Sequence, residues 1–214
     1  MRITVFGASG RTGVPLVRQA LDRGHEVVAF VRSPDGFPVA GEGLTVVEGD
    51  AYTGDGVTEA VSPRGQSVDA VVSVLGQTGD GPDDLLTVAG DRITQAMAEA
   101  GVERFVTLVG AGVREPGESP SLQDRVMGGL LKLLVREVLA DAETHVEHVR
   151  ATDLDWTVVR APRLVDGEGE GDYRAGDIDL GFESVARADV ARLILDCLEG
   201  DLYRRELPKV GGPE

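Results

Sequence analysis

The chain has 214 residues, 42% of them hydrophobic, which suits one large domain with a full core. No apolar run is long enough to cross a bilayer, and Met1-Arg2 leads straight into a strand without a signal peptide, so a cytoplasmic protein is expected. The 37 Asp and Glu against 21 Lys and Arg leave a net charge of −16, a surface that repels nucleic acid and anionic membranes.

The chain opens with a short apolar strand (Ile3, Val5, Phe6), followed by Gly7, Gly10 and Gly13 and then a helical pattern carrying Val14, Leu16, Val17, Ala20 and Leu21. Strand, glycine turn and helix form the context in which this spacing marks a dinucleotide site. Gly7 lets the chain turn sharply, Gly10 leaves the backbone open to a pyrophosphate, and Gly13 lets the helix pack close to the sheet. The first helical N–H groups lack partners inside the helix and face the anion, with the helix dipole behind them. Pro15 fits an early helical position, where no N–H bond is lost.

Glu26 to Val31 is a near-continuous apolar run, as expected of a strand buried on both faces. It ends at Arg32-Ser33. A carboxylate there would bond a ribose 2′-hydroxyl. An arginine suits a 2′-phosphate, so Arg32, helped by Ser33 and by Arg11 from the glycine turn, points to NADP, with NAD as the alternative. Leu44 to Glu48 is the third strand, and Asp50 just after it stands where the fold places an adenine; its plainer role is to cap the next segment. A short helix over Val57–Val61 precedes a fourth strand, Asp69 to Leu75, whose following Gly76 lets a cofactor lie close. A Gly- and Asp-rich loop (Gly79 to Asp84) leads to a helix with apolar Leu85, Leu86, Val88, Ala89, Ile93, Met97 and Ala100, ended by Gly101.

Arg104 to Val109 is the fifth strand and opens into Gly110-Ala111-Gly112. The stretch REPGESPSLQD that follows reads as a loop at the mouth of a site, and the apolar Val126–Leu139 as a lid, a dimer face or a buried helix. The 113–140 region is thus the candidate substrate segment. Asp141 to Ala151 continues as helix, with His145 and His148 on one face; no third ligand accompanies them and no metal is expected. Leu154 to Arg160 is the sixth strand, Asp166 to Asp179 an acidic surface excursion, Ser184 to Glu199 a helix holding the lone cysteine, Cys197, and Arg204 to Val210 a last strand. One cysteine excludes an internal disulfide and fits a reducing compartment. Strands alternating with helices give an α/β, doubly wound parallel sheet covered on both faces, a single Rossmann-like domain over 1–214.

GASGRTG, GHEVVAFVRSP, VVEGD, DAVVSVLG, GVERFVTLVGAGV, LDWTVVRAPRL and ARADVARLIL, in that order and across nearly the whole chain, closely resemble the atypical short-chain dehydrogenase/reductases. The nearest group is that of NAD(P)H-binding proteins that includes NmrA-like proteins and biliverdin-IXβ/flavin reductases. The resemblance implies an NADP-preferring Rossmann domain. It places Gly7, Ala8, Ser9, Gly10, Arg11, Thr12 and Gly13 at the phosphates, Arg32 at the 2′-phosphate, Asp50 and Ala51 at the adenine, and Leu75 and Gly76 at the ribose. Gly110, Ala111, Pro162 and Arg163 would line the nicotinamide end. The wider superfamily uses Tyr-x-x-x-Lys as its acid. None of Tyr52, Tyr173 or Tyr203 has lysine four residues on, and Val109-Gly110 stands where many relatives carry serines.

These departures favour hydride transfer from NADPH to a conjugated small-molecule acceptor such as a flavin, quinone or bilin, which needs no strong protein acid; Arg163 is the candidate to stabilise developing negative charge. An NmrA-like NADP(H) sensor without catalysis is the alternative, and an epimerase or dehydratase comes third. A monomer or homodimer is expected. The acidity, with only Lys132 and Lys209 as lysines, suggests adaptation to high salt.

Overall fold

The computed structural model describes residues 1–77, 81–115 and 136–213. Ten strands and five helices are found among them: β1 (Arg2–Phe6), α1 (Gly13–Asp22), β2 (Glu26–Val31), β3 (Leu44–Glu48), α2 (Val57–Val61), β4 (Ala70–Ser73), α3 (Leu85–Ala100), β5 (Arg104–Gly110), α4 (Arg136–Ala151), β6 (Asp155–Ala161), β7 (Arg163–Val165), β8 (Arg174–Gly176), β9 (Ser184–Ala186), α5 (Arg187–Glu199) and β10 (Lys209–Gly211). The loop from Pro116 and most of the apolar stretch Val126–Leu139 lie outside the described residues, as do Gly79 and Asp80.

Eight strands form one sheet in the order β3-β2-β1-β4-β5-β6-β10-β8. All neighbours are parallel except β8, which runs antiparallel to β10 at the edge. Side chains alternate along each strand, so the core is two layers, one on each face of the sheet. Ile3, Val5, Val27, Ala29, Val72, Val106 and Val159 pack with Leu16 and Val17 of α1 and with Leu193 and Ile194 of α5. Phe6, Val28, Phe30, Val71, Phe105 and Val158 pack on the other face with α2, α3 and α4. That two-faced burial is why the central strands read as continuous apolar runs. The mostly parallel, helix-covered sheet is Rossmann-like, as the sequence predicts.

The differences lie at the C-terminal end. The acidic excursion after Asp166 contains β8. Ser184–Ala186, expected to open the last helix, instead form β9, paired with β7 in a separate two-stranded parallel sheet. The last strand, expected over Arg204 to Val210, begins only at Lys209 of β10, because Arg205 has a positive φ, a left-handed conformation that breaks an extended run. The segment before β10 still lies along β6 through single bonds, Val158 N–H to Glu206 O at 3.1 Å and Arg160 N–H to Pro208 O at 2.8 Å.

Candidate functional site

The strand order reverses between β1 and β4, the place where doubly wound sheets leave a crevice at the carboxyl ends of their strands. The candidate residues line up along that edge. In sheet order they are Asp50 and Ala51 after β3, Arg32 and Ser33 after β2, Gly7 to Gly13 after β1, Leu75 and Gly76 after β4, Gly110 and Ala111 at β5, and Pro162 and Arg163 after β6. Residues up to 156 positions apart, Gly7 and Arg163, thus share one rim.

The glycine turn is tight. Gly7 has φ +80°, and a Cβ there would stand 2.9 Å from the carbonyl oxygen of Val74 and 3.1 Å from the nitrogen of Leu75. A Cβ on Gly13 would fall 2.1 Å from Gly7 O, so only glycine lets α1 start this close to the strand. Gly10 N–H donates to Gly7 O at 2.9 Å and Val14 N–H to Gly10 O at 3.0 Å. The N–H groups of Ser9, Arg11, Thr12 and Gly13 find no acceptor among the described residues. Thr12 makes no side-chain cap, and the first turn of α1 holds no acidic residue. A helix start left without a cap or a carboxylate suits an anion.

Arg32 and Ser33 are exposed at the end of β2, and Arg32 pairs with no described residue. Arg11, also exposed, lies 3.9 Å from Asp166, which holds Arg187 more closely at 2.6 Å. Asp50 is half-buried; its Oδ1 accepts the N–H of Tyr52 at 2.8 Å, which is the capping role, and its backbone bridges Asp55. Ala51 is buried beside it. At the other end of the rim, Ala111 N–H donates to Ala161 O at 2.7 Å, which draws Gly110, Ala111, Pro162 and Arg163 together. Arg163 is exposed, whereas Arg160 is buried and donates to Leu207 O and Val113 O. These uncapped amides and exposed guanidinium groups suit an anionic ligand such as a dinucleotide.

No tyrosine is poised as an acid. The Tyr52 hydroxyl donates to Asp84, and this bond raises its pKa. Tyr173 donates to Asp196 at 2.6 Å, and burial, reinforced by that carboxylate, raises it strongly. Burial also raises Tyr203. His145 and His148 do not share a site. His145 is buried, with Nε2 paired to Thr107 Oγ1 at 3.0 Å, and burial lowers its pKa to about 4; His148 pairs with Asp91 at the surface. No group of His, Cys, Asp or Glu among the described residues is arranged to hold a metal. No helix among them is long and apolar enough to cross a membrane.

Two polar residues passed over in the sequence lie behind this rim. Asp141 of α4 is buried and accepts N–H groups from the start of α3, and Gln77, next to Gly76, reaches the same carboxylate. The signal was present: Asp141 falls on the same helical face as Ala142, His145 and Val149, where a carboxylate is out of place unless it has partners.

A family model described as NAD(P)H-binding matches residues 7–201. The chain belongs to the NAD(P)H-binding family. Among solved structures, a candidate epimerase from Bacteroides thetaiotaomicron is 27% identical, with a TM-score of 0.81 over 100% of this chain and 97% of that one. The anaerobillin reductase ChuY from Escherichia coli O157:H7 is 22% identical, with a TM-score of 0.80 over 100% and 98%. A short-chain dehydrogenase/reductase from Veillonella parvula in complex with NADP is 20% identical, with a TM-score of 0.78 over 99% and 94%. At these last two identities the likeness is one of fold. A 3-beta-hydroxysteroid dehydrogenase from Mycolicibacterium neoaurum is 46% identical over 61 residues, 28% of this chain and only 16% of that enzyme. The family likeness seen in the sequence is therefore correct.

Proposed function

We propose that this family member prefers NADP(H) and serves as a reductase of a conjugated, flat acceptor of the flavin, quinone or bilin type. The observation that carries the reading is the pairing of an uncapped glycine turn with an unpartnered Arg32 one strand over. The amides of Ser9, Arg11, Thr12 and Gly13 bind the diphosphate, and Arg32, with Ser33 and Arg11, takes the 2′-phosphate by charge-assisted hydrogen bonds. Asp50 and Ala51 face the adenine, and Leu75 and Gly76 the ribose. Bound NADPH would supply the hydride. The protein contributes orientation and exclusion of water at Gly110 and Ala111, and Arg163 offers a positive charge to an acceptor gaining electrons. With no tyrosine or lysine placed as a proton donor among the described residues, an acceptor that delocalises charge and takes its proton from water fits best. The NADP complex of the Veillonella protein and the reductase named among the structural neighbours support this choice.

The test is NADPH oxidation with FMN, a panel of quinones and biliverdin. Turnover with at least one is expected. NADPH binding without any turnover would favour the second reading, a nucleotide sensor, which the same lack of a placed acid supports. Titration with both nucleotides tests the cofactor: NADPH should bind more tightly than NADH.

A further inference from the structure

We propose that Asp141 is a positioning residue for the cofactor rim, acting through Gln77 on the loop between β4 and α3. The inference rests on the reading of that rim as a dinucleotide site. Asp141 Oδ2 accepts Leu86 N–H at 2.8 Å and Oδ1 accepts Thr87 N–H at 2.9 Å, while the Thr87 hydroxyl donates to the Asp141 carbonyl at 3.1 Å. The start of α3 is therefore capped from a different helix, and Asp84, in the local cap position, makes no side-chain cap. Oδ2 accepts a third bond, from Gln77 Nε2 at 3.2 Å. The Gln77 amide also donates to the carbonyls of Asp83 and Pro82.

Stability alone does not explain this arrangement. Asp84 stands at the local cap position and is a residue type that caps helices, yet its carboxylate accepts the Tyr52 hydroxyl instead and leaves the start of α3 to α4. Gln77 caps none of the α3 N–H groups; its amide ties the residue after Gly76 to Asp141 and to the Pro82 and Asp83 carbonyls that lead into α3. That loop packs on the glycine turn: Leu75 N lies 3.1 Å from where a Cβ on Gly7 would be. One buried carboxylate thus holds three N–H donors, two from a helix start and one from the rim. An anion with two oxygens at a helix N-terminus is the group suited to that task. The Asp141–Gln77 bond fixes the height of Leu75 and Gly76 relative to the amides of residues 9–13.

The experiment is a double-mutant cycle with Gln77→Ala and Asp141→Asn, reading the NADPH dissociation constant by titration and the thermal midpoint on the same samples. Gln77→Ala should weaken NADPH severalfold through the loosened rim, with the midpoint lowered less than in Asp141→Asn because the cap on α3 survives. Asp141→Asn should weaken binding and also lower the midpoint, because the cap is impaired. The double variant should bind NADPH no worse than Asp141→Asn, since both act through one bond. Wild-type affinity in Gln77→Ala, or losses that simply add, would overturn the inference while leaving the cofactor reading intact. A wild-type protein that binds no NADPH would overturn both.

Discussion

A side chain at position 13 has nowhere to go. A methyl group there would meet Gly7 O and the backbone of Ala8 well inside contact distance, so Gly13→Ala must push α1 off the sheet. The cost should be roughly 1–3 kcal/mol, as for other overpacked sites, and NADPH binding should fall because the amides of the turn move with the helix. Denaturant unfolding and nucleotide titration of the same variant check both. The role proposed for Arg32 concerns the ligand alone. The residue is exposed and unpartnered, so Arg32→Asp should leave stability unchanged while abolishing any preference for NADPH over NADH, a change of about tenfold to a hundredfold in relative affinity. His145 acts on stability alone. Its ring is buried against Gly90 and Thr107, and burial lowers its pKa from 6.5 to about 4, with Asp141 and Asp91 opposing and His148 reinforcing the shift. Between those two values the unfolded chain binds the proton and the folded one does not. Stability is therefore lost as pH falls through that window, by about 3 kcal/mol in all. In His145→Leu, urea unfolding between pH 7 and 4 should show a shallower acid dependence.

Elements here are joined by buried polar groups at places where apolar contact would not set register. Arg104 of β5 is such a joint. Its guanidinium donates to Asp155 O and Thr157 Oγ1 of β6 and to Cys197 O and Leu202 O at the end of α5. Burial lowers its pKa, and the carbonyls of a helix C-terminus supply the compensating negative field. Arg104→Met should destabilise the protein by on the order of 3 kcal/mol, through lost bonds and stranded carbonyls, without changing NADPH affinity at temperatures where the variant is folded. Thermal unfolding and titration together check this. The strands were legible one by one because burial on both faces leaves them little but Val, Ile, Ala and Phe. Val27 to Val31 in β2 could be read with their boundary intact. Ser184–Ala186 could not, since three residues become a strand only through the partner Arg163–Val165 that the chain lays beside them. The pair His145 and His148 was misread as a shared face for a similar reason: three residues along a helix turn far enough that one ring enters the core and the other meets Asp91.

Across the whole molecule, the charge of −16 is the property most exposed to solution conditions. Excess carboxylates repel one another, and salt screens that repulsion over about 10 Å at 0.1 M and about 3 Å at 1 M. The melting temperature should therefore rise between low and molar KCl; a midpoint equal in both would count against high-salt adaptation. The sequence by itself determined the sheet, its alternation with helices and the glycine turn, because these follow from local periodicity and from steric demands that act over a few residues. It also offered Arg32 as a candidate, since the end of the second strand is a position known from topology alone. Only the tertiary structure decided which polar groups would meet. Asp141 caps a helix 55 residues earlier, and Arg104 ties off a helix 93 residues later. Such pairings depend on where the sheet delivers each element in space, a distance that sequence spacing does not encode.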